Sequence, residues 1–462
     1  MDTGAQDTWR RTYGGYGVDE CRTVIHTMDG GFLFGGSTGS FETDGDMYVV
    51  KTDASGVVQW SLPFGGLGVQ NSVAVVESDP DFFLAGMTAL GGHGGYDFTL
   101  TALGHTGSIL WVSDIGTPDW DLCADMDRME EGFILVGTTY HGDPAGDVWV
   151  VRTDEVGDTV WTRRLGGAGL DEAFGVNVDG SGHILVAGRL DGDSDDEDGF
   201  LARLTSNGEV DWLERFGGDS ADVAFDVVES EDGAYVLVGA TNSYATVPQV
   251  LVRKMDQAGG LVWQREYGTL GETRMRRIVK WSNGYAMAGF NTVSNAGGKD
   301  MFLIVLDGSG EWVRGKNYGG LGDEEGTCLQ ALPDEGFVVA GFSQNYGPGP
   351  TAFYAVRTAP DAETADDTVY PYLDPVGIQD VSHTPAMIRV VPNPNNGHFR
   401  IGSDPLMRSF EVTDLSGRTV EKRSWGYGDG AVDVNADPGA YVLSVQLNSG
   451  ATIRVKFVID GR

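Results

Sequence analysis

One stretch of sequence keeps returning, and that constrains the fold of this chain more than any other feature. Trp9 to Asp19 reads WRRTYGGYGVD, and versions of it recur until the sequence changes character near residue 360. The glycine after its aromatic or aliphatic residue falls at Gly14, Gly65, Gly116, Gly166, Gly217, Gly268 and Gly319, a step of 51 residues broken once by 50. Tryptophan keeps that step at Trp9, Trp60, Trp111, Trp161, Trp212 and Trp263; the seventh place holds Arg314, with Trp312 two residues earlier. A second glycine closes an apolar run at Gly36, Gly86, Gly137, Gly188, Gly239, Gly289 and Gly341, and an aspartate opens another at Asp46, Asp97, Asp147, Asp198 and Asp300. A fixed period of this length belongs to stacked or radial repeats, in which each unit buries its faces against its neighbours.

Each repeat parses into four short strands. In the first, Cys21 to Thr27 alternates, Asp29-Gly30-Gly31 turns, Phe32 to Gly36 is apolar, and Met47 to Lys51 leads through Ser55-Gly56 into Val57 to Trp60. Pairs such as Asp232-Gly233 and Asn283-Gly284 suit the positive φ angles of two-residue hairpins. No stretch of the repeats has helical periodicity, so the helical solenoids drop out. Four strands in about 50 residues match a propeller blade better than a coil of β-helix. After Ala352 to Thr358 the seventh repeat lacks a fourth strand, yet the chain begins with one. The sequence therefore predicts an all-β, seven-bladed propeller over residues 7–358, with residues 7–13 completing blade seven and covering an otherwise open edge. Residues 359–380, rich in Asp, Pro and Thr, read as a linker. Residues 381–462 hold short alternating runs separated by turns, the pattern of a small Ig-like β-sandwich.

Charge narrows the partners. The net charge of -37 repels phosphate backbones and anionic membrane surfaces, so no nucleic acid is expected, and without an apolar run of about 18 residues no membrane insertion is expected. From Ile388 onward nine Lys and Arg face eight Asp and Glu, so the acidity lies in the repeats and linker. Cys21, Cys123 and Cys328 show no CxxC spacing and fall on the first strands of different repeats; they read as small core residues, with no disulfide expected. The start, MDTGAQDTW, has neither the basic nor the apolar region of a signal peptide.

The pattern W-x-x-x-Y-G-G, D-G-G-F-x-x-x-G and D-x-x-V-V-K-x-D, followed by G-x-V-x-W, resembles the bacterial extracellular propeller repeats of the SBBP and delta-sixty type. That resemblance implies architecture and no common reaction. The tail resembles the C-terminal sorting domain of the type IX secretion system of the Bacteroidota. The matching residues are Pro392-Asn393-Pro394 with Gly397, Asp414-Leu415-Ser416-Gly417-Arg418, Pro438-Gly439-Ala440-Tyr441, and Arg454 to Ile459. The resemblance implies export across the outer membrane, recognition by the secretion machinery, and a secreted or surface-attached protein, in many members anchored to lipopolysaccharide. The chain ends on Asp460-Gly461-Arg462 instead of a lysine-rich strand, which leaves anchoring or release open.

Two acidic sets are candidate sites. Asp19, Asp121, Asp171, Asp222 and Glu324 recur at one register, with Gln70 and Thr273 in the other two blades, and are expected around the mouth of the central channel. Clustered carboxylates there would hold a cation or, singly, accept hydrogen bonds from turn amides. The loop DGDSDDEDG, with Asp191, Asp193, Asp195 and Asp198, resembles the start of a calcium loop without being an EF-hand; calcium or a solvated acidic loop are its two readings. No zinc spacing and no phosphate loop occurs, and Gly35-Gly36-Ser37-Thr38-Gly39 lacks the strand-to-helix elbow of a hydrolase. Phe41, Tyr140, Tyr244 and Tyr346 in variable loops could stack on sugars. The expectation is a monomeric, non-catalytic propeller binding an extracellular glycan or protein. The alternatives are a hydrolase or lyase using carboxylates at the channel mouth, and a spacer with no ligand.

Overall fold

The computed structural model describes residues 8–41, 45–65, 68–89, 92–191, 197–243, 248–268, 271–282, 284–293, 298–365, 368–371, 389–391, 398–402, 407–414, 418–424, 431–447 and 452–459. Its repeats form seven sheets, and in six of them four antiparallel strands follow one another in chain order from an inner to an outer edge. The inner strands are Asp19–His26, Gln70–Ser78, Asp121–Arg128, Glu172–Val178, Asp222–Glu229, Thr273–Trp281 and Glu324–Ala331. Each packs beside the next, and Glu324–Ala331 returns to lie beside Asp19–His26, so the ring closes.

Closure is made by the start of the chain. Trp9–Tyr13 pairs antiparallel with Ala352–Thr358, in a register running from Trp9 opposite Arg357 to Tyr13 opposite Phe353. One strand lies beyond what the sequence suggested: Val369–Pro371 adds parallel to Trp9–Tyr13 as a fifth member of blade seven. Residues 359–363, within the segment read as linker, form the hairpin turn that every other blade has. Ala359 N–H donates to Glu363 O and Ala362 N–H to Ala359 O, as Asp53 and Gly56 do in blade one. The turn then points at a slot already filled by Trp9–Tyr13, so the returning strand is displaced to the outside.

Hydrophobic burial explains the strand pattern. A separate core lies between each pair of neighbouring blades, including one across the seam that joins Trp9, Tyr13, Cys21 and Phe34 to Cys328, Val338 and Phe353. Middle strands such as Asp46–Thr52 and Phe133–Thr139 are buried on both faces, so they read as continuous apolar runs instead of alternating ones. The three cysteines are free and buried; Cys21 and Cys328 meet across the seam with their sulfurs 4.0 Å apart.

The repeated tryptophan is a latch between blades. The indole N–H of Trp9, Trp60, Trp161 and Trp212 donates to Ala54, His105, Ser206 and Gln257 O in the hairpin of the following blade, at 3.0 to 3.2 Å. A Cβ on Gly107 would lie 2.9 Å from the Trp60 ring and one on Gly208 2.8 Å from Trp161. The hairpin glycine is thus fixed twice over, by its positive φ and by the ring it supports. The seventh copy departs: Arg314 donates from Nη1 to Pro360 O at 2.5 Å, while Trp312 stays 47% exposed.

The tail forms two small sheets. Arg389–Val391, His398–Gly402 and Ala431–Asp433 make one; Thr419–Ser424, Met407–Asp414, Gly439–Leu447 and Thr452–Ile459 make the other. Phe410, Val412, Val432, Tyr441, Leu443 and Val445 are buried in it.

Two measurements test this account. Trp9→Ala should cost about 3–5 kcal/mol in chemical denaturation, because it removes a buried indole and the closing latch, whereas Trp312→Ala should cost about 1 kcal/mol; equal losses would refute the latch. Glu335 sits at φ 65° where blade one has Gly30 at 83°. Left-handed backbone costs a non-glycine residue roughly 1–2 kcal/mol, partly offset by the entropy of glycine, so Glu335→Gly should stabilise the chain by about 0.5–1 kcal/mol.

Candidate functional site in the central channel

The channel is built by a defect repeated seven times. In blade one Cys21 pairs with Gly36 and Thr23 with Gly35, leaving Arg22 as the extra residue of a β-bulge. The same shift occurs in the other six inner strands. A bulge turns its unpaired side chain and bends the strand. It also brings a carbonyl against the neighbouring strand: a Cβ on Gly36 would lie 2.0 Å from Glu20 O, and one on Gly341 1.8 Å from Glu325 O. This is why the second repeated glycine exists. Scaffold glycine and channel-facing bulge are a single device.

The seven bulge residues are Arg22, Val73, Ala124, Phe174, Phe225, Arg276 and Thr327. With Asn71 and Arg277 they line a cavity of about 290 Å³. Unlike the scaffold they differ from blade to blade, and in ring order they segregate. Blades two to five supply Val73, Ala124, Phe174 and Phe225, and the two phenylalanine rings lie 5.7 Å apart. Blades six, seven and one supply Arg276, Thr327 and Arg22. Arg276 Nε donates to Glu325 Oε1 at 2.7 Å and its guanidinium lies 5.7 Å from the Phe225 ring centre; Arg22 Nη2 donates to Glu20 Oε2 at 2.5 Å.

The next register along carries an ion pair that spans the channel. Arg277 of blade six donates from Nη1 and Nη2 to Asp125 Oδ2 and Oδ1 of blade three, at 2.8 and 2.9 Å. Asp226 of blade five lies 3.7 Å from the same guanidinium. Backbone amides complete the shells: Val176 N–H donates to Asp125 Oδ2 at 3.1 Å, and Val227 and Ile278 N–H donate to the two oxygens of Asp226 at 2.8 and 2.9 Å. Burial still pushes Asp226 up to about 7, against the pull of Arg277. Burial likewise raises Asp127, one register deeper, to about 6. Sequence reasoning missed this group because Asp125, Asp226 and Arg277 occupy equivalent positions in separate repeats and share no linear motif.

The aspartates that recur at the start of the inner strands have a local task. Asp19, Asp121, Asp171, Asp222 and Glu324 are all buried, and each accepts the backbone N–H four residues earlier, from Gly15, Thr117, Gly167, Gly218 and Gly320 at 2.5 to 3.0 Å. Serine hydroxyls add to this, Ser40 on Asp19 and Ser343 on Glu324, both at 2.7 Å. Each carboxylate therefore braces its own turn, and burial raises the pKa of Asp121, Asp171 and Glu324. Among the described residues no cluster of three or more His, Cys, Asp or Glu is placed to hold a metal. Asp193 and Asp195 lie outside the described residues. Beside them, Asp191 N–H donates to Asp171 Oδ1 at 2.8 Å, Glu197 pairs with Arg189, and Asp198 packs on Gly217. Of the loop aromatics, Phe41 packs on Tyr48 and Tyr346 on Tyr354; Tyr140 is half-buried, and Tyr244 lies outside the described residues. In the tail, Asp414 accepts from Arg418 and the Tyr441 hydroxyl donates to Asp437 O at 2.5 Å. Gly439 opens the strand that carries Tyr441, whereas Asn393, Pro394, Gly397 and Gly417 fall outside the described residues.

The buried acids give the protein a pH profile. Asp226 titrates near 7 when folded against ~3.9 unfolded, so the native state holds the extra proton between those values. Its contribution is full below about 4 and is lost as pH rises through 7. Asp29 and Asp232 act oppositely. Asp29 is lowered to about 2 by Lys51 and turn donors against the effect of burial, and Asp232 to about 2 by Lys254, so both weaken the fold as pH falls toward 2. Thermal melts of Asp226→Asn should lose part of the decline that the unaltered chain shows from pH 5 to 8; an unchanged slope would contradict the assignment.

The comparisons with known proteins bear on the tail. Residues 389–460 match the family described as secretion system C-terminal sorting domain. No curated protein matches the sequence. Among solved structures, the extracellular domain of a hybrid two-component system of B. thetaiotaomicron is similar at 11% identity with a TM-score of 0.46, over 95% of this chain and 57% of that one. This chain therefore spans little more than half the length of that relative. Sqt1 of Chaetomium thermophilum is similar at 10% identity and a TM-score of 0.45, covering 98% and 99% of the two chains. The periplasmic gluconolactonase of Pseudomonas aeruginosa is similar at 12% identity and a TM-score of 0.43, covering 72% and 98%. On the matched tail and its own sheet geometry, the chain is an all-β propeller-like repeat protein that carries a type IX secretion C-terminal sorting domain, and so is secreted or displayed at the cell surface.

Proposed function

We propose that this secreted propeller is a non-catalytic binding protein that holds an extracellular glycan or protein on one face of the ring. The observation that carries the reading is a run of exposed apolar residues on the turns leading into neighbouring inner strands. Leu321 enters blade seven, Tyr16 and Val18 enter blade one, Val69 enters blade two and Trp120 enters blade three; Leu321, Tyr16 and Trp120 are 81%, 78% and 56% exposed. Large apolar groups gathered on one face of a soluble surface mark contact sites, and aromatic members supply most of the contact energy at low entropic cost. The secretion machinery is the other partner, engaged through the tail.

A hydrolase or lyase is the second reading, favoured by burial pushing Asp226 up to about 7, the range in which a carboxyl serves as a general acid or base. Against it, the oxygens of both carboxylates already accept from Arg277 or from backbone amides, so neither is presented to a substrate. The spacer reading, with no ligand, is the outcome if nothing binds.

A glycan and protein array probed with the full chain, with and without calcium, tests these readings together. Binding should fall by at least about tenfold in a Tyr16→Ala, Trp120→Ala double variant, the loss expected when contact residues are truncated; retention of full binding would overturn the placement. Hydrolysis of any arrayed glycan that disappears in Asp226→Asn would favour the second reading. Fusing residues 377–462 to a reporter behind a suitable signal peptide should send it out of the cell, and retention in the periplasm would contradict the export role.

A further inference from the structure

The channel cavity has a chemistry distinct from the face around it, and its two halves define a ligand. One arc is cationic: Arg22 and Arg276 are each paired with a single carboxylate, Glu20 or Glu325. A guanidinium has five N–H donors, so both arginines retain donors toward the cavity. Thr327 between them spends its hydroxyl on Cys21 O at 2.6 Å and adds no donor. The opposite arc is apolar, with the Phe174 and Phe225 rings as its walls. Beside Arg22, on blade two, the buried Oδ1 of Asn71 has no protein hydrogen-bond partner, and such an acceptor is costly unless water or a ligand supplies the donor.

We propose that this cavity binds the carboxylate of an N-acylated apolar amino acid, met as a free small molecule or as the C-terminus of a peptide. The carboxylate lies against Arg22 and Arg276, the amide N–H donates to Asn71 Oδ1, and an aromatic or branched side chain fills the arc of Phe174 and Phe225. Size agrees, since about 290 Å³ lies at the lower end of the ~300–1,000 Å³ range of small-molecule sites. Charge limits the ligand as well: Glu20 and Glu325 offset the two guanidinium charges, Lys299 shares Glu325, and the field of a chain at -37 opposes polyanions, so recognition rests on the remaining guanidinium N–H donors, which suit one carboxylate. The proposal deepens the binding reading above by naming a ligand for the channel, and it rests on that reading.

Calorimetry on the full chain tests it with N-acetyl-L-phenylalanine, its uncharged amide, and a pentapeptide ending in phenylalanine. The acid should bind at least about tenfold more tightly than the amide, Arg276→Gln should erase that difference, and Ala124→Trp, which fills the cavity from the apolar arc, should abolish binding of both. A peptide that binds as well as the free acid identifies the C-terminal source, and a peptide that fails identifies the small molecule. Equal affinity for acid and amide, no binding of any probe, or binding that survives Ala124→Trp in a variant whose melt shows it folded would overturn the proposal. Running the same Ala124→Trp variant on the glycan and protein array separates the two ideas. Surface capture that persists there while the channel probes fail leaves the binding function standing and removes only the channel ligand.

Discussion

Every blade of this ring has two apolar faces and can bury them only against its neighbours, so the fold depends on no blade being last. The strand Trp9–Tyr13 meets that requirement. It hydrogen-bonds to blade seven while its indole donates to the hairpin of blade one, coupling two ends of the array that are some 340 residues apart in sequence. The long loop that this closure defines is entropically expensive, yet such a cost grows only with the logarithm of loop length. Burial of Trp9, Tyr13, Cys21 and Cys328 in one seam core is what opposes it.

The same scaffold separates what is constant from what varies. Turn-bracing carboxylates, latch tryptophans and the two glycine series recur because each answers a steric or hydrogen-bonding demand that every blade makes. The β-bulge then gives each blade one side chain that the scaffold does not use. Substitution at those positions can change the channel while leaving the strand pairing in place, and Arg22, Phe174 and Arg276 occupy equivalent places. The channel ion pair of Asp125, Arg277 and Asp226 shows the cost of such freedom, since a buried pair stabilises little in net terms and is damaging when one partner is lost. Its attested use is to fix geometry, and here it joins blades three, five and six across the axis.

Much of this was legible in the residues. A period of 51 with glycine, tryptophan and aspartate in fixed phase is a physical demand repeated seven times, and from it follow blade number, strand order and the closing role of the first strand. The tail was legible for a different reason: its ordered motifs identify a domain that the family match places at 389–460. The recurring Asp19 register could be seen as a set but not assigned, because a carboxylate bracing a turn and a carboxylate binding a cation look alike until the Gly15 N–H is found 2.8 Å away. Residues 359–363 looked like linker because a hairpin turn without a following apolar strand has no signal of its own.

The sequence by itself determined the ring, since periodic burial is a local property that each repeat carries whole. Only the tertiary structure decided the channel. Arg277 and Asp125 stand 152 positions apart, and nothing in either repeat marks its partner. Which side chains face one another across an axis depends on how seven sheets are rotated about it, and that rotation exists only once the ring has closed.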